Sequence, residues 1–152
     1  MIRLNRLTDY GVVLMVQLAR EDRAVHTAAH LATANGVPQP TAAKLLKLLA
    51  HSGLIQSQRG ASGGYTLSRP AESITVAEIV AALEGPIALA ACVEGSLEHC
   101  EVEAQCPMRG NWNRVNQAIH KALSEVTLAE MAAPVWPMSS ARRAAPALAG
   151  TA

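Results

Sequence analysis

The chain has 152 residues, half of them apolar, and no Phe, so its one core must be built from Leu, Val, Ile and Ala, which favours packed helices over a β-sandwich. No apolar run approaches the ~18 residues of a membrane span, and Arg3, Arg6 and Asp9 stand where a signal peptide would be apolar, so a cytoplasmic protein without membrane attachment is expected. The net charge of +1 hides two halves: residues 1–70 carry eight Lys/Arg against three acids, a surface fit for a polyanion, while residues 71–133 carry three against nine.

Thr8 is placed to cap a first helix reaching about residue 20, with Tyr10, Val13, Leu14, Gln17 and Leu18 spaced to bury one side. Thr27 starts a short Ala-rich helix over 28–34, Asn35 and Gly36 break it, and Pro38 to Pro40 open a third that reaches about His51. In this third helix Ala42, Leu45, Leu46 and Leu49 form the inward stripe, and Thr41, Lys44, Lys47 and His51 share a polar face. Gly53 suits a helix C-cap, and 54–58 and 65–68 read as two short strands around a glycine-rich turn over 59–64.

Thr75 and Glu78 have the spacing of a capping box for a helix to about residue 83, stopped by Gly85 and Pro86. Over 111–126, Trp112, Val115, Ile119, Ala122 and Val126 recur at intervals of three and four, the seam of a helix that packs on another helix and the candidate for dimerisation. Thr127 and Glu130 open one more turn, and the Pro-, Ala- and Ser-rich stretch 134–152 is expected to be disordered. The expected fold is mainly α. A winged helix-turn-helix occupies 1–70, and 71–133 hold a linker helix, a cysteine loop and a long dimerisation helix.

A helix pair joined by a tight turn and followed by a Gly-rich hairpin is the arrangement in which the second helix enters the DNA major groove. Lys44 and Lys47 would meet phosphates or base edges, Gln39 and Thr41 would hydrogen-bond at the helix start, and Arg59 at the wing would enter a minor groove. The second constellation is Cys92, Cys100 and Cys106, three soft donors in a Glu-rich loop. An odd number of thiols gathered in one short segment argues for metal or redox chemistry over a disulfide framework. Both an iron–sulfur cluster lacking a fourth cysteine and a zinc site completed by His99 are open. No CxxC, phosphate-binding Gly loop or catalytic triad is present, so neither an enzyme nor a small-molecule substrate is expected.

Three features occur together in this order: Arg3-Leu4 with Leu7-Thr8-Asp9-Tyr10, the wing Arg59-Gly60 with Gly63-Gly64-Tyr65, and the three-cysteine loop. Over residues 1–133 the chain resembles the IscR and NsrR family of iron–sulfur transcription regulators. The stretches 7–11, 83–87 and 106–112 look most like regulators of SUF-system cluster assembly. The resemblance implies a homodimer on a palindromic double-stranded operator and a 2Fe-2S or 4Fe-4S cluster held by Cys92, Cys100 and Cys106. It also implies repression of suf-type cluster-assembly genes by the cluster-loaded form. IscR-like members place a histidine three positions after the last cysteine, where this chain has Arg109, so that role does not carry over. NsrR-like members use an aspartate near the start of the first helix, matched here by Asp9, which becomes the preferred fourth ligand from the other subunit. Glu84 matches a residue of the family's linker helix and is expected to cap or pair. The rival expectation is a thiol-redox or zinc-containing DNA-binding regulator without a cluster.

Overall fold

A computed structural model describes residues 3–21 and 24–134. These residues form α1 (Arg6–Arg20), α2 (Ala28–Asn35), α3 (Gln39–His51), β1 (Ile55–Gln58), β2 (Gly64–Leu67), α4 (Val76–Glu84), α5 (Asn111–Ser124) and α6 (Leu128–Ala132). Short 3-10 turns lie at Ala71–Ser73 and Glu103–Gln105. The tail expected to be disordered falls, from residue 135 onward, outside the described residues.

The start of α1 differs from expectation. Asn5 is the N-cap, its side chain accepting the Leu7 N–H at 3.0 Å, a role Asn fills as well as Ser or Thr does. Thr8 lies inside the helix, 1% exposed, and donates its hydroxyl to Glu84 Oε1 at the end of α4. The inward face is rotated accordingly, with Gly11, Val12, Leu14, Met15 and Leu18 buried and Tyr10, Val13 and Gln17 only half-buried. The reason is tertiary, because α1 packs against α2, α3, α4 and α6 and so needs a wider apolar arc than one stripe. Gly11 permits part of this approach, since a Cβ there would collide with the Leu83 side chain.

The next two helices follow the sequence closely. Thr27 caps α2 by accepting the His30 N–H at 3.1 Å, and Gly36 closes it in the left-handed region at φ 64°. In α3 the buried residues are Ala42, Leu45, Leu46 and Leu49, the stripe read from periodicity. β1 and β2 pair antiparallel with Ile55 opposite Leu67 and Gln58 opposite Gly64. An extension absent from the sequence reading joins this hairpin, as His26 and Tyr65 exchange backbone hydrogen bonds of 3.1 and 2.8 Å. Gly64 is required beside it, for a Cβ there would stand 2.5 Å from the His26 carbonyl oxygen.

α4 and α6 each open with a complete capping box, Thr75 with Glu78 and Thr127 with Glu130. Leu14, Met15, Leu18, Leu31, Leu46, Leu49, Ile55, Ile74, Ile79 and Leu128 fill one continuous core contributed by α1, α2, α3, β1, the segment before α4, α4 and α6. α6 is anchored by Leu128 N–H to Ile74 O at 2.8 Å, beside Val76 N–H to Val126 O at 2.9 Å.

Partial burial alone would raise the Glu78 pKa, but the Thr75 N–H and the Arg69 guanidinium outweigh it and hold the carboxyl below 4.5. A depressed folded-state pKa contributes stability that is present above about pH 4.5 and is lost as pH falls through the lowered value. Glu78→Gln is therefore expected to lower the melting temperature at pH 7, with the gap to wild type closing toward pH 3, as thermal melts across that range would show.

Candidate nucleic-acid interface and cysteine loop

The buried stripe of α3 anchors the helix on α1, α2 and α4 and leaves its other side to solvent. Gln39, Lys44, Lys47 and His51 are exposed and Thr41 is half-buried. Lys44 and Lys47 are three apart and so share a face. Arg59 is exposed at the start of the hairpin loop, where Gly60 takes φ 109°. A feature that sequence reading passed over adds to this surface. The N-cap of α3 is Pro38, which offers no side-chain cap, so the Gln39 and Thr41 N–H groups have no intrahelical acceptor and suit a phosphate oxygen.

After α4, Gly85 turns the chain at φ 89° into the irregular segment 85–110. Its beginning is fixed to α5. The buried Asn116 amide accepts the Leu89 N–H at 3.1 Å and donates to Ile87 O at 2.9 Å, and Asn113 accepts the Glu94 N–H at 2.9 Å. Further along, local turns hold the backbone, among them Glu103 N–H to Cys100 O and Arg109 N–H to Cys106 O, both 3.2 Å. Arg109 pairs with Glu103 at 3.5 Å, in keeping with its exclusion as a ligand.

Cys92, Cys100 and Cys106 are all half-buried free thiols on this one segment. Their Sγ atoms are not all within 4.8 Å of one another. The donor set nonetheless fits a thiolate-ligated cluster in kind: three soft ligands lie on a loop whose later part is held by short-range turns, and metal sites are commonly completed only as metal binds. Asp9 is exposed in the first turn of α1, and among the described residues no hydrogen bond or ion pair engages its carboxylate. His99 is exposed on the loop. The Glu84 carboxylate accepts the Asn5 N–H at 3.1 Å and the Thr8 hydroxyl, so it pairs as expected.

Two further features stand out. Along α5, Trp112 and Val115 are 41% and 43% exposed, Ala122 is exposed and Ile119 half-buried, so among the described residues most of the apolar seam is left uncovered. At the C-terminal end of α1, Glu21, His26 and His30 are the one group of three His, Cys, Asp or Glu donors, among the described residues, whose ligand atoms all lie within 4.8 Å. No sequence motif announced it, because a helix end, a loop and a second helix supply one residue each.

The model of the Rrf2 family, described as an iron-dependent transcriptional regulator, matches residues 4–134. The HTH-type transcriptional regulator CymR of Bacillus subtilis (strain 168) is 30% identical over 132 residues, 86% of this chain and 90% of that protein. The structure of CymR, the global cysteine regulator of B. subtilis, superposes with TM-score 0.68 over 87% of this chain and 97% of that one at 30% identity. The oxidised form of Staphylococcus aureus CymR gives 0.67 at 29% identity over 88% and 98%. IscR of T. potens gives 0.63 at 28% identity over 86% and 85%. Among the described residues no helix is long and apolar enough to cross a membrane.

Proposed function

Since the chain belongs to the Rrf2 family of transcriptional regulators, we propose that it is a cytoplasmic, homodimeric repressor whose binding to a double-stranded operator depends on an iron–sulfur cluster held by Cys92, Cys100 and Cys106. The observation that carries this reading is the placement of three free, half-buried thiols on one loop between α4 and α5, in a chain that also bears a basic winged helix. When bound, the cluster supplies a link among three thiolates that iron loss, oxidants or nitric oxide can remove.

The chain's own residues supply the rest. Asn113 and Asn116 fasten the start of the loop to α5, and α5 offers its exposed seam to the second protomer. Asp9 of that protomer is the proposed fourth ligand. It stands in the first turn of α1, which packs on α3, so a constraint placed on α1 reaches the reading helix through side-chain contact. The genes regulated are proposed to be those of cluster assembly, on the resemblance of residues 83–87 and 106–112.

Val115→Asp puts a charge into the seam at a position exposed in the single chain. It is expected to convert dimer to monomer in sedimentation velocity while leaving the helical circular dichroism signal unchanged.

A second reading is a thiol-redox regulator without a cluster. Similarity to the oxidised form of Staphylococcus aureus CymR, together with the three free thiols, favours it over a zinc site completed by His99. The two main readings separate on anaerobically purified protein. A brown, iron-containing wild type whose colour and iron disappear in Cys100→Ala supports the cluster, and loss of colour in Asp9→Ala as well supports the fourth ligand. Colourless, iron-free protein that binds DNA and loses that binding on oxidation supports the thiol switch.

A further inference from the structure

We propose that Glu21, His26 and His30 form a binding site for a divalent transition-metal ion of zinc's type, separate from the cysteine loop, where the end of α1 meets the start of α2 and the wing. Glu21 Oε2 lies 3.4 Å from His26 Nε2 and 3.9 Å from His30 Nε2. Ligands about 2.0–2.1 Å from a tetrahedral zinc are about 3.3 Å apart, so the first pair already has the right separation and the second needs a shift of roughly half an ångström. Two imidazoles and one carboxylate are a borderline donor set that suits zinc and its first-row neighbours, with a water completing four-coordination.

The three ligands are positioned by the fold. Gln17 Nε2 donates to Glu21 Oε1 at 2.6 Å, which leaves Oε2 turned toward the imidazoles, a supporting bond of the kind that orients metal ligands. His26 is 5% exposed and its backbone is held by Tyr65. His30 lies in the capped first turn of α2, with its ring stacked on that of His26 at a centroid distance of 5.3 Å. The His30 side chain is 53% exposed, which gives an ion access. His26 Nε2 also lies 3.2 Å from the Glu21 carbonyl, and a bound ion would replace any proton shared there. Occupancy would tie α1 to α2 and, through the His26 backbone, to β2, giving the DNA-binding half an input independent of the thiols.

The test titrates Zn²⁺ into a Cys92→Ser/Cys100→Ser/Cys106→Ser variant, in which the loop thiols no longer compete, by calorimetry and thermal melts. Expected are equimolar binding, a higher melting temperature with zinc, and an affinity at least about tenfold lower in His30→Gln and in Glu21→Gln, whose melting without metal is little changed. No zinc uptake, or affinity unchanged in both variants, would overturn the site and leave an imidazole–carboxylate pair. Should the cysteine-free chain fail to fold, Co²⁺ in the wild type is read instead. His30→Gln should then abolish the visible bands of a nitrogen- and oxygen-ligated site and leave any thiolate charge-transfer band intact, and persistence of those visible bands overturns the proposal. Slower hydrogen exchange of the His26 and Tyr65 amides on adding zinc is expected, and unchanged exchange would refute the link to the wing.

Discussion

Replacing both Lys44 and Lys47 by alanine is expected to weaken binding to double-stranded DNA on the order of 50-fold at about 0.1 M salt and to lower the slope of log affinity against log salt by about 2. Both side chains are exposed on one face of α3, held outward by Ala42, Leu45, Leu46 and Leu49 on the other. Each phosphate neutralised releases counterions, which makes the salt slope a count of contacts. Neither lysine contributes to the core, and alanine is the better helix former, so the fold should be untouched. Fluorescence anisotropy across a salt series measures both quantities. An unchanged slope would place these lysines away from the duplex and leave the α3 N-terminus and Arg59 as the contact.

Leu128→Ala is expected to cost about 2–5 kcal/mol of folding stability, a large share of the roughly 5–15 kcal/mol of an ordinary domain. α6 has only five residues and lies near the end of the described chain, yet Leu128 is fully buried and belongs to the same core as Leu14, Leu46 and Ile79. The hydrogen bond to Ile74 and the packing of α6 on α1 hold it there, leaving little room for collapse around a truncated side chain. The gap would be filled only at the cost of lost contacts. Urea unfolding gives the value, and a loss below about 1 kcal/mol would mean that α6 is not part of the cooperative unit.

What could be read from the chain depended on the range of the signal. The stripe of α3, the Asn35–Gly36 stop, the two capping boxes and the Gly-rich hairpin are local, and each stands close to where periodicity and turn chemistry put it. The start of α1 is not legible in the sequence because Thr8 and Asn5 are both good caps, and only contact of Thr8 with Glu84, 76 residues away, decides between them. The buried face of α1 differs from the one periodicity predicts because four helices pack on it. At the surface, the lysines and the thiols were legible as residue types at suggestive spacing. The His26–Tyr65 bridge was not, since it joins segments 39 residues apart, and the Glu21, His26, His30 cluster was not, since its three residues are close in sequence but sit on a helix end, a loop and a second helix, an arrangement no spacing rule describes.

The most direct test of the central claim is to select duplexes from a random library with iron-loaded protein under anaerobic conditions, and then to measure the affinity of the recovered duplex before and after a chelator strips the iron. A palindromic site whose affinity falls at least tenfold on stripping, with a parallel fall for Cys100→Ala, is the result expected. Equal affinity in the two states, or recovery of no preferred sequence, would contradict cluster control of operator binding.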